Sequence, residues 1–523
     1  MRDLTTETSA NATPRPQKES SQTENTNINT AIAKPVSLDW PLDEFRSLLH
    51  ETCETISRLY NDLDAKPVYH GLDTDTIQRL IQEPLPQSGT EMRKVLREVE
   101  DKIYATATLN ISPRYLAYVI SCGTQAGILA CVLEAALNQN VTKWHMGPSA
   151  AELEKQVIRW ITEFIGYKQA EGILVSGGSA ANQVCLSSAL TAQAPVDVIQ
   201  KGLSSAPTLV AYISNQGHSC FDKAFSLMGL GREQLRKIPV TPAFTIDLSL
   251  LEKAIQADKE AGLYPFCIIG NGGTVNTGAV DPLERMAALS RKYGLWFHVD
   301  CAYGGPAAAT DVAAALFRGL NNADSIALDP HKWLYVPFEA GCALVKHKGA
   351  LQATFTHRAD YLDTTNADGK QVDFMDYSPQ LSRNFKALKV WMTFKVYGSD
   401  ALTYAIKQNI LIMRELAKMI TDLDDFECLA PAPLSIVCFR YITDDQEVHN
   451  NEKYLSRLND AIVNALEKDG TFFVSKTSLA YKTAIRVCCV NHRTTRQDIK
   501  NLVNVVRTTG RRIRAELQTM DQT

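Results

Sequence analysis

The chain has 523 residues, 45% of them hydrophobic and 21% charged, with a formal net charge of −4. This is the composition of a globular protein with ample core, and the length suggests two or three domains. The weak acidity argues against nucleic acid or an anionic membrane as main partner, and no apolar run approaches membrane-spanning length. The twelve cysteines include no Cys-x-x-Cys pair. Cys131, Cys185, Cys267 and Cys438 sit in apolar runs, so the set reads as reduced core residues of a cytoplasmic protein, with no metal called for.

Residues 1–36 are rich in Ser, Thr, Asn and Gln and are expected to form a disordered tail, because such a segment buries too little apolar surface to offset its ordering entropy. The tail lacks the apolar stretch of a secretory signal, and Asp3, Glu7, Glu19 and Glu24 argue against a transit peptide. Residues 37–124 read as a helical segment: Leu38, Phe45, Leu48, Leu49, Cys53, Ile56 and Leu59 recur at helix-like spacing, as do Met92, Val95, Leu96, Val99 and Ile103. These helices look too few and too amphipathic to stand alone, which points to a partner subunit. A short aromatic stretch, Ser112 to Tyr118, follows. An apolar helix is expected from about Ala126 to Leu137, then a break at Trp144–Pro148. Ser149 and Glu152 have capping-box spacing for a helix running to about Phe164.

From about Gly172 to Lys346 strands and helices alternate, which predicts a mostly parallel sheet covered on both faces. Gly172–Val175 is a strand, and Ser176-Gly177-Gly178-Ser179 leads into a helix. That geometry suits an anion held by Gly178 and Ser179, and equally suits a tight turn. A strand at 208–213 is followed by His218 at a helix start; alone, such a histidine is more often structural than catalytic. Asp247 caps the next helix. Strand 266–269 runs into Gly270–Thr274, and Asp281-Pro282 opens a helix with Pro at its first position. The apolar strand Leu295–Val299 delivers Asp300, a carboxylate that needs a charged partner. Finally 323–327 reads as a buried strand, stopped by Pro330, which presents His331 and Lys332 at its carboxyl end, where open α/β sheets place their ligands. Alone, Lys332 is a strand-end lysine reaching for water. In an apolar pocket it loses charge and becomes a nucleophile able to form a Schiff base with pyridoxal 5'-phosphate (PLP). An anion turn, a flat ring, an acid and a lysine at four converging strand ends are what a PLP site requires.

The strings LDPHKW, HVDCAYGG, GGSAAN and QGHSC together resemble the group II PLP-dependent amino-acid decarboxylases, over roughly Leu38 to the C-terminus. That family includes the aromatic-amino-acid, histidine, glutamate and cysteine-sulfinate decarboxylases. The resemblance implies an α/β protein of PLP fold-type I, aspartate-aminotransferase-like. It implies a PLP-binding domain at 125–400, a small α+β domain at 401–523, and a homodimer in which the 37–124 helices swap across the interface. It implies that Lys332 carries PLP, Asp300 pairs with the pyridine nitrogen and His218 stacks on the ring. Gly178, Ser179 and His331 then lie around the phosphate, with Thr274 and Ala302 flanking the ring.

A Thr-, Asp- and Asn-rich stretch, 354–376, reads as a surface loop. Its Tyr361 matches the family tyrosine that returns a proton to the substrate α-carbon; the resemblance implies that relatives lacking it make an aldehyde, with ammonia and peroxide. Arg383 either meets the substrate carboxylate or makes a structural salt bridge. In the small domain, 434–440 and 484–490 read as strands, 455–466 and 495–517 as helices. The expected substrate is an aromatic L-amino acid held near Tyr118, Trp333 and Arg383. The pocket-wall segments Ala117–Ser121 and Asn140-Val141-Thr142 are smaller and more polar than in animal aromatic decarboxylases. A small acidic or diamino substrate (aspartate, glutamate, cysteine sulfinate, 2,4-diaminobutyrate) therefore stands as the alternative. An aldehyde synthase or a catalytically dead scaffold remains behind these, and the intact lysine, aspartate and tyrosine argue against the scaffold.

Overall fold

Seven strands, all but the edge strand β3 largely apolar, pair into one sheet: β1 Glu171–Val175, β2 Leu209–Ser214, β3 Leu235–Ile238, β4 Tyr264–Asn271, β5 Trp296–Asp300, β6 Ser325–Leu328 and β7 Gly341–Val345. The computed structural model describes residues 38–61, 63–357, 371–443 and 451–522. The strand order is β1-β7-β6-β5-β4-β2-β3. All neighbours run parallel except β7, which is antiparallel to both β1 and β6. Every residue of β2, β5, β6 and β7 is buried. Successive side chains of a strand point to opposite faces, so both faces are covered. This is the mostly parallel sheet that the sequence predicts.

Four further strands, β8 Phe426–Cys428, β9 Ile436–Tyr441, β10 Ser475–Leu479 and β11 Lys482–Cys488, form an antiparallel sheet in the order β10-β11-β9-β8. Helices Glu452–Asp469 and Arg496–Gln522 pack with it. Cys488 and Cys489 fall into two different core clusters, as adjacent residues of a strand should. The helix Ala387–Thr421 packs against both the helix Gln125–Leu137 and β8–β9. It crosses the expected boundary at 400/401 and is interrupted at Gly398, whose φ of 73° is open to glycine.

The 37–124 region contains helices Leu42–Asn61, Thr74–Ile81 and Met92–Glu98, the last continued by a π-turn over Val99–Tyr104. Its end docks on the small sheet: Tyr115 bridges Phe473, and Leu116 N donates to Phe473 O at 2.8 Å. Two expected helix starts shift. Ser149 is not a cap: the helix Pro148–Phe164 begins two residues earlier than that cap would place it, with Pro148 in its first turn, and Glu152 instead accepts from Trp144 Nε1 at 3.1 Å. Pro282 sits at the N-cap of Leu283–Tyr293 rather than inside it. The Asp281 carboxylate turns inward to take N–H groups of Ile246 and Asn271 and the Asn271 amide.

Candidate active site

At the carboxyl edge of the parallel strands lies a cavity of about 440 Å³, within the range of roughly 300–1,000 Å³ typical of small-molecule sites. Much of its wall follows strand ends. β1 leads through Ser176 and Gly177 into the helix Gly178–Gln193, whose first turn carries Ser179. A Cβ on Gly178 would stand 2.7 Å from Asp329 Oδ2 and 2.9 Å from Ala302 Cβ, and one on Gly177 would meet the His331 ring at 3.2 Å. Only glycine leaves that turn open, with its N–H groups and helix dipole available to an anion.

β5 ends at Asp300, whose Oδ1 accepts from Ala302 N at 3.0 Å. Burial pushes the Asp300 carboxyl above its ordinary pKa, opposed by the Lys332 charge, the Ala302 N–H and His218. Among the described residues it has no ion-pair partner within 4 Å. After β2, His218 stands at the cavity edge; its Nδ1 accepts from Cys220 N at 3.1 Å, which leaves the proton on Nε2. Loss of hydration lowers its pKa, with Asp300 opposing. β6 ends at Leu328, and Pro330–Trp333 form a single helical turn. His331 Nδ1 accepts from Ala340 N at 3.0 Å, and burial lowers this histidine too.

Lys332 departs from expectation. Burial disfavours its charge, but Asp329, through its charge and a hydrogen bond, and Asp300 outweigh that and raise its pKa. Its Nζ lies 2.8 Å from Asp329 Oδ2. Without a bound carbonyl group the lysine is therefore a paired cation, not the partly discharged amine that an apolar pocket would give. Like Glu339, Asp329, 1% exposed, is a cavity residue to which the sequence reading gave no role. An acid three residues before the lysine, on the same turn, was its signal.

Eight of the expected residues, Lys332, His331, His218, Asp300, Gly178, Ser179, Thr274 and Ala302, line this one cavity. Three do not. Trp333 is fully buried behind the site, stacked on Tyr303 at 5.0 Å and donating to Asn409 Oδ1. Tyr118 is 54% exposed, its ring edge on Phe473, while its neighbours Val119 and Ile120 reach the cavity. Arg383 is buried in an ion pair with Glu154 at 2.5 Å and also donates to Val141 O and Leu174 O. It takes the structural course that its sequence context left open. Tyr361 lies outside the described residues.

The lining fits PLP: a glycine turn that a Cβ would fill, a buried acid open to a cationic ring nitrogen, and a lysine between them. The pyridoxal-dependent decarboxylase conserved domain matches residues 75–442. The chain belongs to that family. As a PLP-dependent amino-acid decarboxylase it is 32% identical to an aromatic-L-amino-acid decarboxylase of Bacillus atrophaeus over 470 residues, 89% of this chain and 95% of the relative. It is 30% identical to a phenylacetaldehyde synthase of Petunia hybrida, over 87% of this chain and 91% of that one. Its fold matches Catharanthus roseus tryptophan decarboxylase in complex with L-tryptophan, with a TM-score of 0.82 at 24% identity, covering 91% of this chain and 99% of that one.

Proposed function

We propose that this decarboxylase converts an aromatic L-amino acid to its amine and carbon dioxide. The observation that carries the reading is the charge of the substrate end of the cavity. Val119, Ile120, Val275 and Phe338 make it apolar, and Glu339, ion-paired with Lys386 at 3.3 Å, adds a carboxylate. Among the described residues, Lys332 is the one lysine or arginine in the lining. An acidic side chain would meet Glu339 and no spare cation, whereas an aromatic ring buries apolar surface. The Bacillus relative, an aromatic-L-amino-acid decarboxylase, points the same way.

In this reading Lys332 would hold the cofactor, and Gly178, Ser179 and His331 would receive its phosphate. Asp300 would keep a proton on the ring nitrogen, with His218, Thr274 and Ala302 beside the ring. Bound there, the cofactor supplies an electron sink for breaking the bond between the α-carbon and the carboxylate. The apolar wall excludes water from that carbon.

We also take the protein to be a cytoplasmic homodimer in which the 37–124 helices cross to the partner. Leu42 and Phe45 on the first helix, and Leu129, Leu133 and Leu137 on the helix Gln125–Leu137, are large apolar side chains left exposed in one protomer. No described helix is long and apolar enough to cross a membrane, and all twelve cysteines are free.

The test is turnover of a panel of amino acids, with carbon dioxide, amine and peroxide measured together. Tryptophan, tyrosine or phenylalanine should lead, with amine equal to carbon dioxide. Faster turnover of glutamate or cysteine sulfinate overturns the aromatic reading. Peroxide matching carbon dioxide would instead favour aldehyde synthesis, which the Petunia relative keeps in view.

A further inference from the structure

Asp329 occupies a place that the assignments above leave without a task. It directly follows β6, is 1% exposed, and lies between the lysine and the anion turn. Its Oδ2 is 2.8 Å from Lys332 Nζ and 3.7 Å from His331 Nε2. The same oxygen would touch any Cβ placed on Gly178. Its Oδ1 is buried with no hydrogen-bond partner among the described residues.

We propose that Asp329 is the proton shuttle for covalent attachment of the cofactor to Lys332. The proposal rests on Lys332 being the attachment point. Nζ attacks an aldehyde carbon only as the free amine, so one of its three protons must leave first, and Asp329 Oδ2 is within hydrogen-bond distance to take it. The C–N bond then forms, and a second proton passes from Nζ to the former aldehyde oxygen. That oxygen departs as water when Asp329 returns the first proton to it. The nitrogen keeps one proton and its positive charge in the new C=N bond, and Asp329 is a carboxylate again. No oxidant, reductant or further reactant is needed.

The surrounding groups leave this task to Asp329. Asp300, on β5, holds the Ala302 N–H and has no ion pair with Nζ within 4 Å among the described residues. His218 and Cys220, from the segment after β2, reach the lysine only through their longer-range charge effects. His331 has its Nδ1 occupied by Ala340 N–H, and Glu339 and Lys389 act on His331 rather than on Nζ.

The experiment strips the cofactor from the full-length protein and mixes it rapidly with PLP, following the visible band of the attached chromophore across pH. In the wild type the attachment rate should be flat around neutrality, because the proton moves within a pair. In Asp329→Asn it should fall on the order of a hundredfold and climb about tenfold per pH unit, since solvent must now discharge the amine. Removing the carboxylate also favours the neutral lysine, which alone would speed attachment. An Asn variant that attaches as fast as the wild type therefore overturns the proposal. Pyridoxine phosphate, which has an alcohol in place of the aldehyde, should bind both proteins alike and so report an intact cavity. If the Asn variant loses that binding, Asp329→Glu decides: attachment within tenfold of wild type supports the shuttle, and attachment as slow as the Asn variant's overturns it. Borohydride reduction and peptide mapping of the wild type separate the two levels. Label on a residue other than Lys332 removes the underlying assignment, not this step alone.

Discussion

Replacing Arg383 by Met separates the two roles open to that residue. The guanidinium side chain is 2% exposed and the Glu154 carboxylate 0%. Arg383 donates to Glu154 Oε1, to Val141 O at 2.9 Å and to Leu174 O at 2.8 Å, and stands 4.8 Å from the centre of the Phe374 ring. Once it is gone, Glu154 keeps one donor among the described residues, Leu174 N at 2.8 Å. Breaking a buried pair from one side costs about 3–5 kcal/mol, because a charge is left without compensation. Whole-protein stabilities are only about 5–15 kcal/mol, so soluble yield should fall as well. Adding Glu154→Leu removes the stranded charge and should recover most of the loss, since an apolar replacement of a buried pair is often neutral. The assay is urea unfolding of the holoprotein, followed by tryptophan fluorescence, with KM and kcat measured on the folded fraction. A single variant as stable as the wild type, with KM raised tenfold and kcat unchanged, would refute the argument and return Arg383 to the substrate. So would a double variant no more stable than the single one.

Asp300→Asn should leave the cofactor bound, more weakly, while turnover drops on the order of a thousandfold, a barrier increase of about 4 kcal/mol; near-normal turnover removes Asp300 from the ring nitrogen. Glu339→Gln should raise kcat/KM for glutamate relative to tyrosine about tenfold, because one negative charge leaves the cavity and Lys386, 3.3 Å from Glu339, loses its partner; an unchanged ratio places the substrate side chain elsewhere. His298 is fully buried between Asn182 Oδ1 and Ser325 Oγ, and burial lowers its pKa to about 3. The unfolded chain takes up a proton there from pH about 6.5 downward while the folded chain does not. Stability should thus be full above that pH and fall by up to roughly 1.4 kcal/mol per pH unit towards pH 3. His298→Asn should flatten that part of the acid-unfolding profile, and an unaltered slope would show that His298 does not contribute to it.

The sheet and most of the cavity were legible because each relevant residue closes an apolar run. An apolar strand read from the sequence places what ends or follows it at the carboxyl edge: Asp300 ends β5, and Lys332 sits on the turn just after β6. What stayed illegible depends on direction or distance. Trp333 is the neighbour of Lys332, but on a helical turn adjacent residues point about 100° apart, so one meets the cavity and the other the core. Tyr118 misses the site while Val119 and Ile120 reach it, and nothing in that aromatic stretch says which way it lies. The partner of Arg383 is 229 residues away in the chain, beyond any local pattern. The helix Ala387–Thr421 packs on both Gln125–Leu137 and β8–β9, so the expected boundary at 400/401 falls inside it, two residues past its break at Gly398.

The reversed direction of β7 makes the segment between Lys332 and Gly341 a ruler. Because β7 runs against its neighbours, its first residue, not its last, lies at the cavity edge. A Cβ on Gly341 would fall 2.5 Å from Gly177 Cα. The segment is thus pinned at one end by the lysine and at the other by backbone contact with the anion turn. Val336 N bonds Pro330 O and His331 N bonds Ala340 O in between. Chain length here sets the spacing between Lys332 and the glycine turn at Gly177. A lengthened surface loop elsewhere costs little closure entropy, but one residue added or removed between Trp333 and Ala340 would slip β7 by a register position and turn its buried side chains to the wrong face. Among homologues this segment should hold its length even where its residues drift.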